Sequence, residues 1–106
     1  MTEPPIVCTL TAPELRERRA GLLRRVRGRV AEARPLAGGE GLELRFPGDE
    51  ATVADVLELV RLESRCCAFL RFLVTLEPAG GGVALEISGP PAGVEILAEE
   101  LRAAPT

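Results

Sequence analysis

The residues with the most chemical potential in this sequence stand within one helical turn. They are Glu63, Cys66 and Cys67, in the run Glu63-Ser64-Arg65-Cys66-Cys67-Ala68-Phe69-Leu70-Arg71-Phe72. On an α-helix each residue advances by about 100°, so the two cysteines fall roughly 60° and 40° to either side of Glu63, one turn further on. A carboxylate and two thiols therefore converge on one patch. Thiolates are soft ligands and select Zn²⁺, Cu⁺ or Hg²⁺. Cys8, in a short apolar run near the N-terminus, can add a third sulfur. The candidate metal ligands are thus Cys66, Cys67, Cys8 and Glu63, with Zn²⁺ or another soft ion as the cofactor.

Two other readings use the same residues. If Cys8 resolves an oxidised Cys66 or Cys67, the set is a thiol-redox module. Free Cys is also among the most buried residue types, so all three fit as core residues of a structural or protein-interaction domain, a homodimer through a sheet edge or an arginine-rich helix. In that case Glu63 is solvated, or paired with Arg65 or Arg71. Geometry separates the readings. Neighbouring helical side chains point about 100° apart, so Cys66 and Cys67 share one ion only where the helix ends and the backbone turns. Ala68-Phe69-Leu70, leading into a strand pattern, suits such an ending.

Catalysis of the acid–base kind is not expected. The chain has no His, and nothing pairs a nucleophile with a base except Glu63 with a cysteine. Gly80-Gly81-Gly82 joins two strand patterns and opens no helix, so it is not a phosphate-binding loop. No catalytic or cofactor-binding residue is assigned outside the metal set.

The elements that must position this patch follow from periodicity. Ile6-Val7-Cys8-Thr9-Leu10 reads as a strand with Ile6, Cys8 and Leu10 inward. Thr11 and Glu14 form a capping box, with Pro13 in the first turn. The helix that follows sets Leu15, Arg19, Leu22, Leu23, Val26 and Val30 on one side. The stretch around Ala31–Leu36 is a weak strand that Pro35 confines to a sheet edge. Leu42, Leu44 and Phe46 alternate in a clear strand, and Asp49 caps a second helix over Glu50–Cys67, with Thr52 as a rival start. That helix carries Val53, Val56, Leu57, Val60, Ser64 and Cys67 on its apolar face, extended by Leu59, Leu62 and Cys66. Two further alternating runs, Leu70–Leu76 and Val83–Ser88, flank Pro78–Gly82 as a hairpin. Gly89-Pro90-Pro91 then opens a last helix on Val94, Leu97, Ala98 and Leu101. The order β-α-β-β-α-β-β-α predicts an α+β two-layer sandwich, a mostly antiparallel sheet with helices on one face. At 106 residues the whole chain, 1–106, reads as one domain.

Charge and composition narrow the partners. Residues 1–36 carry eight Arg against four Glu, while the rest carry five Arg against twelve acids. The first helix is therefore a basic face on a chain whose net charge is -3. Arginines can hold phosphates, but only 3% of residues are aromatic, too few for base stacking, so nucleic acid is not expected as a partner. The opening Met1-Thr2-Glu3-Pro4-Pro5 has no basic, then apolar, leader pattern. No run approaches the roughly 20 apolar residues of a membrane span. A cytoplasmic location with reduced thiols is expected, rather than a disulfide framework.

The motif Glu63-x-x-Cys66-Cys67-x-Phe69-Leu70-x-Phe72, with the hairpin and Gly89-Pro90 after it, resembles a small uncharacterised bacterial family of about this length. The resemblance runs from Val7-Cys8-Thr9-Leu10-Thr11 to the last helix. Its E-x-x-C-C segment is also similar to segments of proteins associated with mercury-resistance-type regulators, which implies heavy-metal binding. No helix-turn-helix precedes it here, so the resemblance covers an effector-like part alone. The family pattern has Pro after the cysteine pair, where this chain has Ala68.

Overall fold

The computed structural model describes residues 13–36, 41–66 and 69–102, the side chains of Cys66 and Arg102 excepted. Within them the order is α1 (Pro13–Arg27), β1 (Glu32–Pro35), β2 (Gly41–Phe46), α2 (Glu50–Cys66), β3 (Arg71–Leu76), β4 (Val83–Ser88) and α3 (Pro91–Arg102). This is the expected α+β arrangement. The first expected strand, Ile6–Leu10, and the Thr11 cap lie outside the described residues.

The four strands form one antiparallel sheet in the order β1-β2-β4-β3. The hairpin β3–β4 pairs Arg71 with Ser88 through to Leu76 with Val83. Strand β4 also pairs with β2, Leu42 opposite Ile87 and Leu44 opposite Leu85, so β4 is central and, among the described strands, β3 is an edge. Strict alternation sends Leu42, Leu44, Phe46, Val83, Leu85 and Ile87 to one face, where all are buried. The other face is polar, with Glu43 accepting the charge of Arg34 and Arg45 at 3.2 and 3.4 Å. Such exposed pairs stabilise weakly, by about 0–1 kcal/mol.

The helices cover the apolar face. Helix α2 lies against β3, α3 against β2, and α1 packs on both helices. Leu22 and Val26 of α1, Val56 and Leu59 of α2, and Leu97 and Leu101 of α3 join the sheet residues in one core. Pro35 ends β1, opposite Leu42 at the outer edge, as proline in a strand requires.

Helix α2 differs from its hydrophobicity pattern in one respect. Its buried stripe is Thr52, Val56, Leu59, Leu62 and Glu63, whereas Leu57 is 42% exposed and Ser64 is exposed. The apolar face read from sequence is thus rotated, because two polar residues occupy inward positions. Thr52 can do so because Asp49 satisfies it: the Thr52 amide donates to Asp49 Oδ2 at 3.1 Å and its hydroxyl to Oδ1 at 2.7 Å. Asp49 is therefore the cap, and Thr52 belongs to the first turn. These hydrogen bonds hold the Asp49 carboxyl below its ordinary pKa.

The turn between α2 and β3 is held onto α3 through Phe69. A Cβ placed on Gly93 would come within 2.3 Å of Phe69 Cε2, so only glycine admits the ring there. Gly89, at φ 149°, lets the backbone pass where a Cβ would approach the Phe69 carbonyl oxygen to 2.7 Å.

Two predictions test this framework. Gly93→Ala, which forces the Phe69 ring out of place, lowers unfolding free energy in urea by about 1–3 kcal/mol. Asp49 stabilises only while ionised, because its folded-state pKa lies below the unfolded one. Its contribution is complete above about pH 5 and is lost as pH falls through the folded value. Asp49→Ala should lower the urea midpoint at neutral pH and flatten the acid-side loss of stability relative to the parent.

Candidate metal centre and its buried carboxylate

Glu63 is the residue of the candidate site whose side chain is described, and it is buried, with 1% of its surface exposed. An ionised carboxylate at that depth is costly unless a cation and hydrogen bonds compensate it. The compensation comes from α1. Arg19 donates from Nε to Glu63 Oε1, and its other two nitrogens fork onto α3, Nη1 to Glu100 Oε2 and Nη2 to Glu100 Oε1, both at 3.0 Å. One guanidinium thereby joins all three helices. The planar fork of arginine suits this geometry, since it presents parallel donors to one carboxylate and a further donor to another. Burial works against the Arg19 charge, but the hydrogen bonds and attraction of Glu100 and Glu63 outweigh it, and its pKa is raised.

This excludes the alternative in which Glu63 is solvated. It also gives Arg19 a role that the sequence reading passed over. The signal was present: Arg19 sits within the apolar stripe of Leu15, Leu22, Leu23 and Val26, where an unpaired charge has no place.

Cys66 is the last described residue of α2, its backbone three residues beyond Glu63 on the same helix. Cys8 and Cys67 lie outside the described residues, as does Ala68. The metal set is therefore described at Glu63 and at the backbone of Cys66. Among the described residues no three His, Cys, Asp or Glu are grouped to hold an ion. Phe69 forms the turn and Arg71 opens β3, so helix gives way to strand within five residues of Cys66.

Three of the remaining arginines of the basic face are engaged by acids of α2. Arg18 pairs with Glu58, and Asp55 accepts from Arg25 Nε at 3.2 Å and Arg29 Nη1 at 2.9 Å. The basic first helix and the acidic remainder are thus complementary surfaces of one chain. A cleft of about 170 Å³ between α1 and α2, lined by Leu15, Arg18, Glu58, Arg61, Leu62 and Arg65, is smaller than the roughly 300 Å³ lower bound of ordinary ligand pockets. No described helix is long and apolar enough to cross a membrane.

The three-helix clamp can be tested directly. Arg19→Met leaves Glu63 buried without its guanidinium and should cost about 3–5 kcal/mol in urea unfolding. The double variant Arg19→Met, Glu63→Met removes both charges and should recover most of that loss, since well-packed apolar replacements of buried pairs are often neutral.

Comparison with family models, with curated proteins and with solved structures finds no match to this chain.

Proposed function

We propose that this chain binds a soft metal ion through Cys66 and Cys67, with Cys8 or Glu63 completing the ligand set. The observation that supports this reading is that α2 includes Cys66 and β3 begins at Arg71, five residues on. A helix continuing through both cysteines would hold their side chains about 100° apart. With β3 beginning at Arg71, helix must give way to strand within five residues of Cys66, and a turn beside the pair places no such demand on it. Adjacent thiolates at a helix-to-strand turn form a soft ligand set suited to Zn²⁺ or Hg²⁺.

Of the two completing groups, Cys8 is the better third ligand. Oε1 of Glu63 already accepts from Arg19, and moving that carboxylate to a metal would leave the guanidinium with Glu100 alone. Glu63 then serves chiefly to fix the last turn of α2 against α1. In this reading the protein is a small bacterial domain acting in the cytoplasm, where thiols remain reduced and available to metal.

Thiol counting tests the proposal. Stoichiometric Zn²⁺ or Hg²⁺ should protect two or three thiols from alkylation, and Cys66→Ser or Cys67→Ser should abolish that protection. Metal uptake unchanged in both variants overturns the reading. Oxidation that joins Cys8 to Cys66 or Cys67 without any protection by metal supports the thiol-redox module in its place.

A further inference from the structure

The two edges of the sheet are unlike. Strand β1 is four residues long, carries Glu32 and Arg34, and ends in Pro35, all features that discourage pairing with another strand. Strand β3, Arg71-Phe72-Leu73-Val74-Thr75-Leu76, has no proline and one charge, at its first position. Among the described residues no strand pairs with its outer edge. Leu73 and Leu76 are 54% and 57% exposed, two of the four large exposed hydrophobics among the described residues. A flat, apolar edge of this length is a template for another strand.

We propose that β3 pairs with β3 of a second copy of this chain, antiparallel about a two-fold axis at Val74, joining the two sheets into one. The register follows from faces and charge. Antiparallel partners share a face, so Val74 must meet an inward-facing residue, and axes between residues are excluded because they set inward residues against outward ones. Centred on Val74, the pairing sets Phe72 against Leu76 of the partner subunit on the helix side, and Leu73 against Thr75 of the partner subunit on the outer side. It also sets Arg71 directly opposite Glu77 of the partner subunit, twice by symmetry. Among the described residues neither Arg71 nor Glu77 has an ion-pair partner within its own chain. Centring on Leu73 instead leaves both charges unmatched. The Val74 register therefore covers Leu73 and Leu76 and matches both charges in one step.

Sedimentation of the full chain from micromolar to millimolar concentration tests this. The parent should reach twice the 11.3 kDa chain mass. Arg71→Glu and Glu77→Arg should each weaken dimerisation by about tenfold, since each converts two attractive cross-strand pairs into repulsive ones. The combined swap, Arg71→Glu with Glu77→Arg, should restore the parent affinity. Unchanged far-ultraviolet circular dichroism and urea midpoints establish that the variants are folded. A parent that stays monomeric overturns the proposal, as does a dimer in which the two swaps act additively. Hydrogen-exchange protection, independent of protein concentration, of the β3 amides that do not bond to β4 assigns the edge to a segment of the same chain, such as Ile6–Leu10, and also overturns it.

Discussion

A carboxylate buried among helices has to be answered by a cation, and most of the helical layer follows from how this chain does so. Glu63 lies almost wholly inside, and the desolvation cost of its charge is offset by Arg19, whose fork also takes Glu100. The energetic worth of such a buried pair relative to apolar residues is small, but its geometric demand is strict. Arg19, Glu63 and Glu100 come from three helices, so satisfying the charge sets the rotation of α1, α2 and α3 about their axes. That rotation turns Leu57 outward and brings Thr52 inward on α2.

The same constraint fixes the segment of α2 that carries Cys66. With Glu63 held at one end and Phe69 seated on Gly93 at the other, the chain between them is anchored on both sides to the helical layer. A vicinal pair of thiols needs such support if two sulfurs are to reach one ion, because ligands held only by a loop lose geometry. In the proposed soft-metal reading the clamp and the thiols are connected: Glu63 would anchor the helix that carries Cys66, and the thiols would hold the ion.

Much of this was legible locally. Alternation in Leu42–Phe46 and Val83–Ser88 marked the buried sheet face, Pro35 marked an edge, and Asp49 marked the start of α2. Each of these signals is complete within a few residues, since a strand's two faces or a helix cap involve near neighbours only. The phase of α2 was less legible because hydrophobicity alone ranks Leu57 above Thr52 and Glu63. Polar residues with dedicated partners invert that ranking.

The sequence by itself determined the order of elements from α1 to α3 and the apolar faces of β2 and β4. Only the tertiary structure decided that β4 lies between β2 and β3, and that Glu63 meets Arg19 and, through it, Glu100. The reason is sequence distance. Arg19 and Glu63 are 44 positions apart, and Arg19 and Glu100 are 81. A pairing across such spans depends on how three helices settle on one sheet, which no local period encodes.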